Sequence, residues 1–440
     1  MYPEIAIILI IILLLVGIYL KIFTRKDIDI FKNNIYLDNN GTTPISDGAL
    51  IEYNKNSKLG NASATYATDA KKIIESTDNL VKSWISSSDA NIIYTSGASE
   101  SNNNVQQSIA ATSEKPHFIL SSYEHKSNLN CAKMLAGENK IQLTLIDPDI
   151  YGIIQPNSVI SAIQPNTVLV SIMSINNELG TVNDIKTIGQ EIKKKNPNIF
   201  FHVDAVQSFG KYQIPMNEYQ IDALSVSMHK LNGPQGIGLL ILSNRLFDKI
   251  KKHPLICGEQ YDGARGGTYN IAAIASSYKS IKEAIMDRTN KNIELFKKKQ
   301  YIINYLKNKY NVEKYEIFAN KPDSMEIYNK NNNEKYAIVF LGDEKHVSPN
   351  TILLSVIKYG PIQNHFCNIK LKKDLLDKNV IISIGSVCHQ SSTEPSHVLY
   401  SIKAPFIIRC GVIRISLGDY NTMNDAEQFC KNFSECLTMQ

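Results

Sequence analysis

The chain is organised around a short apolar run that leads to a lysine and a glycine-rich turn: Ala223-Leu-Ser-Val-Ser-Met-His-Lys-Leu-Asn-Gly-Pro-Gln-Gly-Ile-Gly238. Lys230 follows the run directly, and the side chains of Ser227 and His229 beside it can form hydrogen bonds. A lysine that is desolvated behind a buried strand has an amine that can attack a carbonyl group and form a Schiff base. The alternative is that Lys230 is one of many solvated surface lysines, because charged side chains are mostly exposed. The neighbouring stretches decide between these two interpretations.

A second strand-like run lies upstream, in Ile199-Phe-Phe-His-Val-Asp-Ala-Val-Gln-Ser208. It ends in Asp204, and Gln207 follows closely. Pyridoxal phosphate acts as an electron sink when a carboxylate keeps its pyridine nitrogen protonated, and an amide can hold its phenolate oxygen. Asp204 and Gln207, together with the lysine, therefore predict pyridoxal 5′-phosphate as the cofactor.

A glycine turn between a strand and a helix is predicted in Ile92-Ile-Tyr-Thr-Ser-Gly-Ala-Ser-Glu-Ser-Asn-Asn103. The chain leaves the strand at Gly97, and Ala98 and Ser99 open the helix. The backbone N–H groups at such a helix start, with the Ser99 hydroxyl, can bind an anion such as the cofactor phosphate. Serine and glycine at a helix start are also ordinary capping residues, which is the alternative interpretation.

From about residue 35 to residue 417, these motifs and their order resemble those of the cysteine desulfurases, the NifS/IscS group within the class-V aminotransferase superfamily. The resemblance implies fold type I of the pyridoxal-phosphate-dependent transferases, an α/β fold with a mostly parallel mixed sheet in a large domain and a smaller C-terminal α/β domain. Seven strand-like runs begin near residues 92, 118, 141, 168, 199, 223 and 238. They alternate with helical stretches, which favours a mostly parallel sheet with functional residues at the strand ends.

The predicted domain boundaries follow from the order of these motifs. Residues 46–290 are assigned to the large cofactor-binding domain, and residues 35–45 with residues 291–440 to the small domain, which carries the catalytic-cysteine loop. A long lysine-rich helix is expected from about residue 271 to residue 310. The segment 358–368 looks inserted relative to the family, and its role stays open.

The resemblance also implies which residues surround the cofactor. They are Ala98, Ser99, His125, Asn177, Asp204, Gln207, Ser227, His229, Lys230 and Thr268. His125 is expected to stack on the pyridoxal ring and to move protons together with Lys230, although a histidine with a purely structural role is the alternative. Thr268, at the end of Arg265-Gly-Gly-Thr268, is expected to reach the phosphate of the neighbouring subunit, which implies a homodimer.

Substrate residues are expected in the C-terminal part of the chain. Arg414, with Asn177, is expected to hold the substrate through its carboxylate, and a buried ion pair is the alternative for an arginine in an apolar strand. The stretch Val380-Ile-Ile-Ser-Ile-Gly-Ser-Val-Cys-His-Gln-Ser-Ser-Thr-Glu-Pro-Ser396 resembles the catalytic-cysteine loop of the family. The resemblance therefore implies that Cys388 takes sulfur from L-cysteine as a persulfide and leaves L-alanine. Cys257 is the competing candidate, but it lacks the Gly-Ser-x-Cys setting.

A desulfurase passes its sulfur to an acceptor protein, which by this resemblance is an iron–sulfur scaffold or a protein of thio-cofactor or tRNA modification. Two alternatives to a desulfurase are open. A selenocysteine lyase, or another class-V lyase or aminotransferase, would use the same cofactor residues. A catalytically inactive scaffold tethered to a membrane would keep the fold alone, but the intact set of Lys230, Asp204, Cys388 and Arg414 argues against lost activity.

The N-terminal segment predicts a membrane anchor. Ile5 to Leu20 is a run of apolar or small residues without a charge, and Lys21 and Arg25 follow it. Such a run approaches the length that a bilayer core requires, and positive charge after it favours a cytosolic catalytic domain. We therefore expect residues 1–24 to form a single-pass transmembrane helix, with a buried or interfacial helix as the alternative.

The composition excludes several other classes of protein. A chain of 440 residues can form a large and a small domain, and its formal charge of +5 comes from scattered lysines without a dense basic block. We therefore expect no nucleic-acid partner. Seven cysteines without CxxC pairs argue against a disulfide framework and against a structural zinc site, so no metal is expected.

Overall fold

The computed structural model of the chain describes residue 31 and residues 33–326, 335–360, 366–384 and 396–439. The strands in these ranges are β1 (Ile35–Tyr36), β2 (Asn91–Thr95), β3 (His117–Ser121), β4 (Gln142–Ile146), β5 (Thr167–Ser171), β6 (Phe200–Asp204), β7 (Ala223–Ser227), β8 (Gly238–Leu242), β9 (Asn311–Glu313), β10 (Tyr336–Leu341), β11 (Thr351–Lys358), β12 (Val380–Ile381), β13 (Ser383–Ile384) and β14 (Val412–Ser416). The α-helices are α1 (Asp47–Asn56), α2 (Thr68–Trp84), α3 (Ala98–Ala110), α4 (Lys126–Gly137), α5 (Pro156–Ser161), α6 (Ile185–Lys195), α7 (Asn244–Lys252), α8 (Ile271–Ile285), α9 (Arg288–Lys309), α10 (Asn368–Asp377), α11 (His397–Ser401), α12 (Phe406–Cys410) and α13 (Met423–Thr438).

A seven-stranded sheet forms the larger part of the molecule, with the strand order β2-β8-β7-β6-β5-β3-β4. Neighbouring strands are parallel except where β8 pairs with β2 and β7. Every residue of β3, β7 and β8 is buried, which explains why these strands are almost continuously apolar in sequence. The prediction of a mostly parallel mixed sheet is confirmed, and each of the seven strand-like runs forms a strand of it.

The direction of the strands brings the functional motifs to one edge of the sheet. The carboxyl ends of β2, β3, β5, β6 and β7 meet there, because only β8 runs the opposite way. Ligand sites of α/β proteins form at this edge, where loops leave the sheet for the helices. The stretches after these strands therefore surround one space.

Two glycines allow β8 to pass close to the turn between β2 and α3. Gly97 has φ of 150°, a conformation that side chains with a Cβ rarely adopt. A Cβ on Gly238 would lie 2.7 Å from the Gly97 Cα and 2.5 Å from the carbonyl oxygen of Val226. Glycine at both positions therefore fixes the start of α3 directly against the sheet edge.

A second sheet contains the C-terminal strands in the order β13-β14-β11-β10-β9. Its pairs are antiparallel except for β9 with β10. A hydrophobic cluster that includes Leu37, Ile302, Ile352, Phe429 and Phe433 lies on this side of the molecule. The short strand β1 pairs in parallel with β12, so the first described strand joins the C-terminal part of the chain. The boundaries between the large and the small domain stay a prediction.

The expected long helix between residues 271 and 310 is two helices, α8 and α9. Asp287 lies between them with φ of 53° and ψ of 31°, a left-handed conformation that cannot continue an α-helix. Nothing in the sequence marks this break, because neither glycine nor proline occurs between the helices.

The prediction of a membrane-anchored protein is corrected by the structure. No helix in the described ranges is long and apolar enough to cross a bilayer. Even the longest of them, α9 with 22 residues, carries lysines along its whole length. The apolar run Ile5 to Leu20 lies outside the described residues. The single-pass location with a cytosolic catalytic domain is therefore wrong for the part of the chain that the structure describes.

Candidate active site

A cavity of about 650 Å³ lies at the edge of the large sheet where the carboxyl ends of the strands meet. Its lining includes Ala98, Ser99, His125, Asn177, Asp204, Gln207, Ser227, His229, Lys230 and Arg414. These are all the expected cofactor and substrate residues in the described ranges except Thr268. Residues that are far apart in sequence are thus brought into one space large enough for a cofactor and a small substrate.

Lys230 ends a 3₁₀ turn, Met228–Lys230, that follows β7 directly. Its Nζ donates to the carbonyl oxygen of Asn40 at 2.6 Å and also to that of Gly41. Burial, together with the positive charge of Arg414, lowers the pKa of the Lys230 amine to about 8. An appreciable fraction of the amine is therefore unprotonated near neutral pH, which is the form that attacks a carbonyl group.

Asp204 ends β6 with a side chain that is only 4% exposed. One carboxylate oxygen accepts from Asn102 Nδ2 at 3.0 Å, and the other accepts from the Val206 backbone N–H at 3.1 Å. No lysine or arginine of the described residues forms an ion pair with it, unlike the buried Asp222, which pairs with Lys193. The Asp204 carboxylate is thus a buried anion beside a cavity, held by neutral donors.

His125 precedes α4 and caps its first turn. Its Nδ1 lies 2.8 Å from Ser127 Oγ, which also accepts from Asn102 Nδ2 at 3.0 Å. Asn102 therefore links the partner of His125 to Asp204. Burial lowers the pKa of the imidazole, Asp204 opposes this, and Lys230 adds to it, so the ring is neutral at neutral pH.

Asn102 and Ser127 were missed at the sequence level. Asn102 is the fifth residue of α3 and Ser127 the second residue of α4, and polar residues near the start of a helix are common without any functional role. Their side chains meet across 25 residues of sequence. Only the spatial neighbourhood of α3 and α4 gives them a function, and sequence spacing does not contain it.

The start of α3 faces the cavity with Ala98 and Ser99. Its N-cap residue, Gly97, has no side chain that could satisfy the first backbone N–H groups. A helix start without a side-chain cap leaves N–H groups available for an anion. This part of the site is therefore suited to a phosphate.

Thr268 lies away from the cavity and is exposed. The loop that carries it is tied to α3, because Arg265 donates to both carboxylate oxygens of Glu100 at 2.9 and 3.3 Å. Burial alone would raise the pKa of Glu100, but the hydrogen bonds from Arg265 and from the Ser96 backbone lower it below the usual value. The predicted role of Thr268 concerns a second subunit, so this position within one chain leaves that prediction untested.

Arg414 lies in β14 and lines the cavity. Its Nη2 forms an ion pair with Asp38 Oδ1 at 2.6 Å, and its Nη1 donates to the carbonyl oxygen of Asn177 at 2.9 Å. The expected substrate arginine is therefore also part of an ion pair, the alternative considered from its apolar strand. Asp38 was not among the predicted site residues, although it lies in the N-terminal motif.

Residues 38–43, which we call the N-terminal turn, contact several of the polar residues of the cavity. Thr42 Oγ1 lies 3.0 Å from His229 Nδ1, and Gln207 Nε2 donates to the carbonyl oxygen of Asn40 at 3.1 Å. Burial, with a further contribution from the charge of Lys230, lowers the pKa of His229 to about 4. His229 is therefore a neutral hydrogen-bonding residue at any physiological pH.

Cys388 lies outside the described residues, but the described residues on either side of it are close to the cavity. Ser383, in β13, pairs with Arg414. On the other side, Ser396 Oγ donates to Glu178 Oε2 at 2.6 Å, next to Asn177. The competing Cys257 is exposed and does not line the cavity.

Comparison with known proteins places this arrangement in a family. A family model described as aminotransferase class-V matches residues 35–348. The chain is 33% identical to a protein named cysteine desulfurase IscS from Dictyoglomus turgidum, over 90% of this chain and 92% of that protein. A solved NifS-like protein from Rickettsia africae superposes with a TM-score of 0.74 at 25% identity, covering 92% of this chain and 99% of that one. A solved structure described as SspA in complex with cysteine has a TM-score of 0.68 and 29% identity, covering 88% and 99%.

The chain therefore belongs to the class-V aminotransferase family, the class of pyridoxal-phosphate enzymes that the fold and the cavity define. Within it, the similarity is to the cysteine desulfurases, so the resemblance inferred from the motifs is confirmed.

The residues of the cavity fit pyridoxal phosphate. The amine of Lys230 has a lowered pKa, Asp204 is a buried carboxylate with no cationic partner among the described residues, and α3 begins without a side-chain cap. The amine suits the aldehyde of the cofactor, and the carboxylate suits its pyridine nitrogen. The uncapped start of α3 suits its phosphate.

Proposed function

We propose that this chain is a cysteine desulfurase that converts L-cysteine to L-alanine and transfers the sulfur to Cys388. The observation that carries the proposal is that an amine of lowered pKa, Lys230, and a guanidinium, Arg414, line the same cavity. An amino acid substrate offers an amine and a carboxylate for these two groups. The similarity to proteins named cysteine desulfurase supports L-cysteine as that amino acid.

The cofactor would be held by residues at or after the ends of β2, β6 and β7. We assign the aldehyde to Lys230, the pyridine nitrogen to Asp204, and the phosphate to Ser99 with the Ala98 backbone. Gln207 would hold the phenolate oxygen, while Ser227 and His229 line the same wall. When bound, pyridoxal phosphate supplies an electron sink for the electrons released at the substrate.

Protons would be moved by His125 and Lys230. Because Nδ1 of His125 is held by Ser127, Nε2 is the ring nitrogen left to give or take a proton. Lys230 Nζ can do the same on the other side of the substrate, since its pKa lies near neutrality. Ser127 and Asn102 are positioning residues in this scheme, because they orient the ring without touching the substrate.

The sulfur step would use the thiolate of Cys388. It attacks the substrate sulfur, so that a sulfur–sulfur bond forms while the carbon–sulfur bond of L-cysteine breaks. The substrate β-carbon takes a proton and becomes the methyl group of L-alanine, and Cys388 is left as a persulfide. The persulfide sulfur is then passed to an acceptor protein, for which an iron–sulfur scaffold is our candidate.

The direct test is to mix the purified, cofactor-loaded protein with L-cysteine and to measure L-alanine and protein persulfide together. We expect the two products in equal amounts during the first turnover. L-alanine without persulfide would contradict sulfur transfer to Cys388. A higher rate with L-selenocysteine, accompanied by release of elemental selenium, would favour a selenocysteine lyase.

We further propose that the chain works as a homodimer in which Thr268 completes the phosphate site of the neighbouring subunit. Two observations support this role: Thr268 is exposed, and Arg265 of the same loop donates a hydrogen bond to Glu100 of α3. Mixed dimers of an inactive Lys230→Ala chain and a Thr268→Ala chain should recover about half of the wild-type activity, because one of the two sites then has both residues. No recovery in isolated mixed dimers would mean that Thr268 acts within its own chain or not at all.

A further inference from the structure

The carboxylate of Asp38 forms an ion pair with the guanidinium of Arg414, to which the proposed function assigns the carboxylate of the substrate. The distance from Asp38 Oδ1 to Arg414 Nη2 is 2.6 Å, the length of a strong charge-assisted hydrogen bond. The side chains of both residues are largely buried, with 26% and 10% exposure. Screening by water therefore weakens this pair less than a surface ion pair.

Both terminal nitrogens of Arg414 are already engaged in the absence of substrate. Nη1 already donates to the carbonyl oxygen of Asn177. Nε is buried and has no hydrogen-bond partner among the described residues, so it is out of reach of the cavity. A bidentate clamp on a substrate carboxylate needs two parallel N–H bonds, and Asp38 holds Nη2, one of the nitrogens that would supply them.

Asp38 is free to leave that position. Its carboxylate accepts no other hydrogen bond from the described residues, whereas its backbone is fixed by the bonds of Gly41 and Thr42 to its carbonyl oxygen. Rotation of the side chain would therefore break a single hydrogen bond and leave the N-terminal turn intact, although it would also weaken the electrostatic effect by which Asp38 raises the pKa of Lys230. Lys230 keeps its contacts to the carbonyl oxygens of Asn40 and Gly41 during such a rotation.

We propose that Asp38 is an internal competitor that holds Arg414 until the α-carboxylate of the substrate displaces it, and that it thereby sets the affinity of the enzyme for amino acids. This inference rests on the proposed function and adds a specificity-determining residue to it. Exchange of one carboxylate for another keeps the charge of the cavity balanced in both states. It also means that part of the binding free energy of the substrate is used to release Asp38.

The direction in which KM changes in Asp38→Asn distinguishes competition with the substrate from simple positioning of Arg414. If Asp38 competes, Asp38→Asn should lower KM for L-cysteine by about tenfold, because a charged hydrogen bond no longer has to be broken. The turnover number should stay within about twofold, since the interaction is absent once substrate is bound. If Asp38 only orients Arg414, the same substitution should raise KM.

The experiment compares the cofactor-loaded wild type with Asp38→Asn, Asp38→Glu and Asp323→Asn. Asp38→Glu restores the carboxylate and should return KM toward the wild-type value. Asp323→Asn is the matched control, because it removes a similar pair, Arg409 Nη2 with Asp323 Oδ2 at 3.0 Å, from outside the cavity. It should leave KM unchanged. A raised or unchanged KM in Asp38→Asn would overturn the proposal.

A binding measurement keeps the inference separate from the proposed activity. Propionate carries a carboxylate but no reactive amine or thiol, and propionamide is its uncharged counterpart. By calorimetry, Asp38→Asn should bind propionate about tenfold more tightly than the wild type does, and propionamide equally. If L-cysteine is not turned over but propionate binds as expected, the activity fails and the role of Asp38 stands. An equal gain in affinity for propionate and propionamide, or no gain for propionate, would overturn the proposed role of Asp38.

Discussion

Replacing Lys230 with alanine should reduce the turnover of L-cysteine by at least about 10⁴-fold, because the substitution removes both a nucleophilic amine and a proton carrier from the site. The protein should remain folded, since the hydrogen bonds of Lys230 Nζ within the described ranges go to backbone carbonyl oxygens of the N-terminal turn. Borohydride reduction of the cofactor-loaded wild type, followed by peptide mapping, should locate the cofactor on Lys230. The same treatment of the variant should label no lysine.

The matched control for this experiment is Lys299→Met. Lys299 is also buried, and burial lowers its pKa to about 8 as well, but its Nζ donates to the carbonyl oxygen of Ser348, away from the cavity. A lowered pKa alone therefore does not mark the active lysine, and this variant should keep both the label on Lys230 and the activity. Cofactor trapped on Lys211 or another lysine of the Lys230→Ala protein would show that the assignment is wrong.

Replacing Cys388 with serine should abolish persulfide formation and leave cofactor binding unchanged. A hydroxyl group stays protonated at neutral pH and does not attack sulfur as a thiolate does. After one turnover, mass spectrometry of the wild type should find the additional sulfur on the peptide that contains Cys388. Formation of L-alanine should fall with the persulfide, because the substrate sulfur has no acceptor.

Cys257→Ser is the control for the sulfur-transfer prediction. Cys257 is exposed in the loop before Gly258, where it is accessible to solvent but does not line the cavity. This variant should form persulfide at the wild-type rate. Additional sulfur on the Cys257 peptide during the first turnover, with none on Cys388, would contradict the proposed mechanism.

The large sheet and its site residues could be predicted because local sequence encodes them. A buried strand in a parallel sheet is a continuous apolar run, so its end is visible; Asp204 and Ser227 are the last residues of such strands, and Lys230 follows in the turn after β7. The left-handed Asp287 that separates α8 from α9 had no such signal, because it is neither a glycine nor followed by a proline.

The long-range partners could not be predicted for a different reason. Asp38 and Arg414 are 376 residues apart, and Asn102 and Asp204 are 102 apart. The residue types alone allow many pairings for each of these side chains. The three-dimensional arrangement of the strand ends selects one, and a single sequence contains no record of that choice.

The parallel pairing of β1 with β12 has a consequence for biosynthesis. A ribosome makes the chain from its N-terminus, and the segments that are complete begin to fold first. Lys230 and Asp204 thus emerge well before Val380 and Arg414, the residues that β1 and Asp38 need as partners. Until then the N-terminal turn can contact Gln207, His229 and Lys230 but lacks its partners in the C-terminal part of the chain. The nascent polypeptide therefore acquires its cofactor-binding wall early and its substrate-binding wall only near the end of translation.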